Sequence, residues 1–263
     1  MPARARTSTG TSSSSPARTR LPGRSPATAR IERGARALGV RLGPAALDRF
    51  DRYLAALVRW RSRLNLVDAS GEDELVDRHL LDSLLPLAAV ELAAGASVVD
   101  IGSGAGLPGV PMKIARPDLR VTLIEASRRR VAFLEYLRDT LDLDDLVVRW
   151  GRAEDLARQA DHRERYDCAV ERATARLAAA IELCAPFVAI CGWCVLLKGP
   201  SAAEQLSAAA GLVRKLGLQL MMSNNQLISR VGHTVLIIAR KVSDTPSTYP
   251  RRTPRLGRPT HGA

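Results

Sequence analysis

Apolar residues recur at helical spacing from Pro44 onward, where Leu47, Phe50, Leu54, Leu57 and Val58 share a face with arginines between them. A second helix is predicted from about Glu72 to Val90, with Leu75, Val76, His79, Leu80 and Leu84 on its apolar side. After Gly95 the pattern changes to short apolar runs separated by helix-length segments. The runs are 97–101 (SVVDI), 121–125 (VTLIE), 146–149 (LVVR), 166–170 (YDCAV), 194–198 (CVLLK) and 233–239 (HTVLIIA). Helical patterns lie near 109–116, 128–140, 175–187 and 201–216. Strands alternating with helices call for a parallel sheet with right-handed crossovers. The end departs from that rule, because 219–222 (QLMM) and 233–239 sit too close for a helical crossover and are predicted to pair antiparallel.

A mostly parallel α/β sheet with a C-terminal antiparallel strand is the arrangement of class I, Rossmann-like methyltransferases. On this reading the chain divides into a disordered basic tail over 1–30, a helical extension over 31–95, a methyltransferase domain over 96–241 and a basic Pro/Arg-rich tail over 242–263. The first 30 residues are rich in Ser, Thr, Pro and Arg and lack acids, a composition that fits a disordered tail, a transit peptide or an early start codon alike.

Charge changes the picture less than its total suggests. The 263 residues carry 39 Lys and Arg against 27 Asp and Glu, a formal charge of +12. Residues 1–30 hold six arginines and no acid, and 241–263 hold five basic residues and one acid, which leaves about +2 for 31–240. The basicity belongs to the ends. No stretch reaches 18 apolar residues, the longest candidate (183–197) being broken by Pro186 and Gly192, so no membrane span is expected. Cysteines stand at 168, 184, 191 and 194. The C-x-x-C at 191–194 opens an apolar strand and has no second ligand pair, so the four are expected as small buried hydrophobes, with no metal site.

The chemistry concentrates in 98–115 (VVDIGSGAGLPGVPMKIA): a strand, Asp100, then Gly102, Gly104 and Gly106, then a helix. Glycines let the backbone turn sharply and approach a ligand, and the helix start behind them offers free N–H groups. Dinucleotide folds use G-x-G-x-x-G to hold pyrophosphate. Here the third glycine comes one residue early, and Leu107 stands where that pattern needs glycine. An acid before the loop suits the sulfonium and amino groups of S-adenosylmethionine and would repel pyrophosphate. Glu125, ending the second strand, is placed to bind both ribose hydroxyls. The loop 151–156 (GRAEDL) is where adenine would lie, with Glu154 or Asp155 as its acid.

The fourth strand ends in 170–174 (VERAT), without the Asn/Asp-Pro-Pro-aromatic of exocyclic-amine methylation or the Pro-Cys of pyrimidine-carbon methylation. These absences point to an acceptor that is already nucleophilic.

The string DIGSGAGLPGVPMKIARPD followed by TLIEASRRRVAFLEYL closely resembles the bacterial small-subunit (16S) ribosomal RNA guanine-N7 methyltransferases, also known as the glucose-inhibited division protein B family. The likeness extends to LNLV (64–67), RHLLDSLLPL (78–87), GRAEDL, the ERA of strand four, VLLKG (195–199) and YPRR (249–252), over roughly 45–255. The resemblance implies an S-adenosylmethionine site lined by Gly102 and Leu107, an adenine side at Ala153 and Glu154, and Arg172 between cofactor and target. Its substrate would be a guanine of 16S rRNA, free or in an assembling small subunit, methylated in the cytoplasm by what is expected to be a monomer. Glu171 stands where the family more often has serine.

Guanine N7 has an exposed lone pair and no proton, so in-line methyl transfer to it needs positioning rather than a general base. Arg172 is the expected catalytic and substrate-binding residue, its fork suited to the guanine carbonyl or a phosphate, with a salt bridge to a nearby carboxylate as the alternative. Lys198 is a candidate for RNA backbone contact, and His79, with Asp82 and Ser83, for substrate contact or packing. The rival reading keeps the cofactor and changes the acceptor to a small molecule or protein, which the near-neutral middle of the chain favours. An NAD oxidoreductase fails on glycine spacing, and a non-catalytic RNA binder would not need the loop.

Overall fold

The structure, a computed structural model, describes residues 25–172, 176–221 and 234–251. Most of the tail expected over 1–30, Ala173 and Thr174 of the fourth motif, His233, and residues 252–263 lie outside that description. The strands are β1 (Ser97–Ile101), β2 (Arg120–Glu125), β3 (Leu146–Trp150), β4 (Tyr166–Arg172), β5 (Val188–Lys198), β6 (Leu218–Met221) and β7 (Val235–Lys241). They form one sheet in the order β3-β2-β1-β4-β5-β7-β6, with β7 antiparallel to both neighbours and the first five strands parallel. The expected topology is the one observed.

Alternation along the strands divides two cores. Val98, Val121, Leu123, Cys168, Val170, Val195 and Leu197 point to one face, and Val99, Ile124, Ala169, Leu196 and Ile237 to the other. The first face is covered by α1 (Pro26–Ala37), α2 (Pro44–Leu64), a helical run over 72–89, α5 (Gly109–Ala115) and α6 (Arg128–Thr140). The second is covered by α7 (Ala153–Leu156), α8 (Leu177–Cys184) and α9 (Ala202–Lys215). Phe50, Tyr53 and Leu57 of α2 are wholly buried, and each such side chain contributes roughly 1.5–3 kcal/mol of hydrophobic stabilisation.

The run 72–89 is one helix by sequence but four geometries in the fold. It comprises α3 (Glu72–Glu74), a π-helical stretch (Leu75–Leu81), a 3-10 turn (Asp82–Leu84) and α4 (Leu85–Ala89). A π stretch inside a helical run is rare and recurs at functional sites.

Three expectations need correction. The basic tail ends before residue 30, because α1 starts at Pro26. Ser25 caps it, its Oγ accepting from Thr28 N–H at 3.1 Å, and Ala27, Thr28 and Ile31 are buried. The second correction concerns the cysteines. Cys168, Cys184 and Cys194 are buried, but Cys191 is exposed with φ +64°. It sits where β5, which begins at Val188 rather than 194, bulges between the pairs Tyr166–Val188 and Cys168–Trp193.

The third correction is larger. Residues 242–251 are not a free tail but a strap on the second core. Arg163 donates to the carbonyls of Ala157 (3.2 Å), Tyr249 (3.0 Å) and Thr245 (2.6 Å). Lys241, wholly buried, donates to Ala185 O at 2.9 Å and pairs with Glu164 at 3.1 Å. Arg251 forks onto Glu182. Tyr249 is buried in the core. The partners lie far away in sequence, so a local window of Pro and Arg reads as polar and loose.

The first residue of the strap is fastened to Gly217, whose φ is +73° and whose carbonyl accepts from Val242 N–H at 2.8 Å. A Cβ there would stand 2.0 Å from Ser243 O. Gly217→Ala is therefore expected to lower the unfolding free energy by about 2 kcal/mol or more in a urea titration. A loss under about 0.5 kcal/mol, the scale of an ordinary surface change, would show that the strap does not depend on this turn.

Candidate functional site

The site lies at the carboxyl ends of β1, β2 and β4, beside the switch point where chain order reverses between β1 and β4. Leaving β1, the chain turns through Gly102, Gly104 and Gly106, with φ of +71°, +55° and +92°. Side chains carrying a Cβ rarely adopt those angles. The N–H groups of Gly102 and Ser103 both donate to Ile124 O, at 2.9 and 3.0 Å, which ties the loop to β2. Ser103 O in turn accepts from Gly106 N–H at 2.7 Å and Leu107 N–H at 3.1 Å, and α5 begins at Gly109.

Two distant groups fix this loop. From below, Asp100 Oδ2 accepts from Gly109 N–H at 2.8 Å. From above, the Tyr53 hydroxyl of α2 donates to Ala105 O at 2.8 Å. Asp100 is wholly buried, and burial above all pushes its carboxyl up to about 7, with the Gly109 bond and the charges of Glu171 and Glu125 acting after it. This departs from the sequence expectation: the acid faces the helix start rather than the cleft.

A cleft of about 680 Å³ opens in front of the loop. Gly102, Gly104 and Leu107 form one wall, and His79 and Arg172 the other, with 66–70 across the mouth. Arg172 ends β4 and reaches into the helical run, where its Nη1 donates to His79 O at 3.1 Å and its Nη2 to Arg78 O at 2.6 Å. The same Nη2 donates to His79 Nδ1 at 2.7 Å, and His79 Nε2 lies 3.1 Å from Asp68 O. Nδ1 therefore accepts and Nε2–H donates, the neutral tautomer that these contacts assign. Burial, then the positive charge of Arg172, lowers the His79 pKa to about 4. The carbonyls held by Arg172 belong to the π stretch, and Ser83 Oγ also donates to His79 O at 2.6 Å. Among the described residues no carboxylate pairs with Arg172, so the salt-bridge alternative is not what the fold uses. Asp82 acts on it only through space, and its carboxylate accepts from Thr234 Oγ1.

Glu125 ends β2, almost buried, with Oε2 accepting from Gly104 N–H (3.0 Å) and Oε1 from Ser127 N–H (2.8 Å). Gly151 N–H donates to Glu125 O at 3.0 Å, which sets the start of α7, with Ala153 and Glu154, next to it. Glu154 also pairs with Arg152 at 3.2 Å. Glu125, Gly106, Ala153 and Glu154 do not line the cleft, and instead flank it along the same sheet edge.

Lys198 is the candidate that the structure takes out of the site. Its side chain is 6% exposed and forms an ion pair with the buried Glu171. A buried carboxylate needs a counter-charge, and the strand-end lysine beside it supplies one. Sequence reasoning also missed Tyr53, Arg130 and the carbonyl of Asp68. Tyr53 reads as one more apolar position of α2, and a backbone carbonyl leaves no signature in residue type.

Residues 46–228 match the family model described as rRNA small subunit methyltransferase G. A Pelotomaculum thermopropionicum protein described as ribosomal RNA small subunit methyltransferase G is 38% identical over 223 residues, covering 84% of this chain and 93% of that protein. Proteins of the same description from Halalkalibacterium halodurans (39% over 216 residues, 81% of this chain and 90% of the relative) and Roseiflexus sp. (40% over 217 residues, 82% and 92%) are similar to it over the same extent.

The lowered pKa of His79 carries a sign. Between the free-imidazole value of 6.5 and about 4, the unfolded chain takes up a proton that the folded chain refuses. Its contribution to stability is thus intact above pH 6.5 and falls away as pH drops towards 4. NMR titration should find His79 neutral at pH 6, and His79→Gln should lose one proton from the pH dependence of unfolding in that window. A midpoint near 6.5 would contradict the Arg172–His79–Asp68 arrangement.

Proposed function

The chain belongs to the small-subunit rRNA methyltransferase G family, and on that footing we propose that it transfers a methyl group from S-adenosylmethionine to N7 of a guanine in 16S ribosomal RNA. The residues present suit that cofactor. The glycine loop brings backbone close to the cleft where a Cβ would intrude. Each Glu125 oxygen accepts one amide N–H and keeps lone-pair capacity for a ribose hydroxyl. Gly102, Gly104, Gly106 and Leu107 would follow the methionine end, and Ala153 and Glu154 the adenine. Asp100 serves by holding the loop rather than by touching the ligand. When bound, S-adenosylmethionine supplies an electrophilic methyl group on a sulfonium.

The observation that carries the reading is the Arg172–His79 pair. Three of the five guanidinium N–H groups are engaged with His79 and Arg78, which leaves two for an incoming acceptor. They suit the O6 of a guanine, beside which N7 presents its lone pair. His79 is kept neutral with its Nδ1 occupied, so its task is to orient Arg172 and not to take a proton. Guanine N7 requires no deprotonation, and the work left to the protein is alignment and exclusion of water. An rRNA substrate, free or in an assembling small subunit, places the reaction in the cytoplasm, and we propose a monomer as the acting form.

Labelled S-adenosylmethionine incubated with small-subunit particles or rRNA from cells lacking the modification should put label in the rRNA. Label confined to protein or small metabolites would sink the proposal. Arg172→Lys keeps the charge but cannot span two carbonyls and an imidazole. Its kcat should fall roughly 100-fold while the Kd for S-adenosylmethionine stays within a few-fold. Unchanged turnover would remove Arg172 from the reaction.

A further inference from the structure

With Lys198 paired inside the protein and the middle of the chain almost neutral, an RNA strand must find its cations elsewhere. The last turns of α2 carry Arg59, Arg61 and Arg63, and α6 opens with Arg128, Arg129 and Arg130 and no acid in its first turn. At the end of α2 lies a groove of about 420 Å³ lined by Arg61, Ser62, Asn65, Val67, Asp68 and Ala69. Val67, Asp68 and Ala69 also line the cleft that holds Arg172, so groove and cleft adjoin along this segment.

The groove is built on fixed parts. Arg61 donates to Ala69 O and Arg130 to Asn65 O, both at 3.1 Å, which ties the floor to both helices. Asn65 closes α2 in the left-handed conformation. Trp60 of α2 packs on Phe133 and Tyr136 of α6, with centroids 6.5 and 6.0 Å apart. The guanidiniums of Arg59 and Arg63 lie over its ring at 5.8 and 5.6 Å. Arg59, Arg63 and Arg129 are exposed, and Arg129 stands one helical turn before Phe133, on the side that faces Trp60. Among the described residues none of Arg59, Arg61, Arg63, Arg129 and Arg130 pairs with a carboxylate, whereas Arg30, Arg78 and Arg116 do. Arg61 and Asp68 are the charged side chains of the lining; Arg59 and Arg63 sit on the same last turns of α2, and Arg130 bonds the Asn65 of the lining.

Arginines stacked on an aromatic ring, left without ion-pair partners and ordered beside a helix N-terminus, suit phosphates that follow one another along a chain. We propose that this groove is the track on which the phosphodiester backbone of the substrate RNA lies as its target guanine enters the cleft. The inference rests on the rRNA reading above and adds the surface that reading lacks.

The test compares Arg59→Glu/Arg63→Glu and Arg129→Glu with Arg214→Glu, an exposed arginine at the far end of α9, using 16S rRNA as the probe. The groove variants should raise the KM for rRNA about tenfold or more, and the double variant should flatten the slope of log affinity against log salt by about 2. Their Tm and their affinity for S-adenosylmethionine should match the unaltered protein, and Arg214→Glu should change the KM far less. The neutral pair Arg59→Gln/Arg63→Gln, with half the charge change, should fall between. Unchanged KM and slope in groove variants that still methylate rRNA would overturn the track and leave the rRNA reading standing. An equal effect from Arg214→Glu would overturn it too, since charge anywhere would then suffice. Failure of the unaltered protein to methylate rRNA would remove the track together with that reading.

Discussion

A carboxylate sealed under the glycine loop is the constraint from which the site follows. Asp100 gives one oxygen to Gly109 N–H, while the other finds no hydrogen-bond partner, and the side chain is fully out of water. Burying such a group costs stability that an apolar residue would not cost, and the same loss of water raises its pKa to about 7. In return, the start of α5 is fixed relative to β1. With Tyr53 holding Ala105 O and Ile124 O receiving two amides, the loop is fastened to the sheet, to α2 and to β2. A ligand then meets a surface already in place and spends little binding energy ordering it.

The same logic makes the helical extension part of the site rather than an appendage. Arg172 crosses from the end of β4 to two carbonyls of the π stretch, and His79 and Asp68 carry the connection along the lining of the cleft. The pattern Arg-His-x-x-Asp-Ser, noted in the sequence for its likeness to a family, thus has a physical meaning. Arg78 and His79 supply the carbonyls, Ser83 shares one of them, and Asp82 lends charge to Arg172 without touching it. An altered helix geometry is what lets a single guanidinium stay charged, half-buried and only partly committed.

What was legible in the sequence was local. Strands and helices repeat at periods of two and 3.6, so all seven strands and their order of direction could be read, as could a loop defined by three glycines and an acid. What escaped depends on partners distant in the chain. Lys198 looked like a free strand-end cation until Glu171 claimed it. The C-terminal strap looked like a tail because Arg163, Glu164 and Glu182, which hold it, lie far upstream. Asp100 stands out by its place before the glycines, but residue type does not say which way a side chain turns, and its Oδ2 meets Gly109 N–H. The basic ends dominated the charge total and hid a cluster of arginines beside the cleft.

In the proposed reaction, the loop and the Arg172 fork together present a guanine N7 for methylation without a base. The most direct measurement is chemical scission of the product RNA, since N7 methylation, unlike methylation of an exocyclic amine or a ribose, makes a guanosine labile to borohydride and aniline. One new cleavage in 16S rRNA is expected after reaction with the unaltered protein, much weakened with Arg172→Lys. Methylated rRNA that resists cleavage, with the label on an exocyclic amine or a ribose, would contradict it.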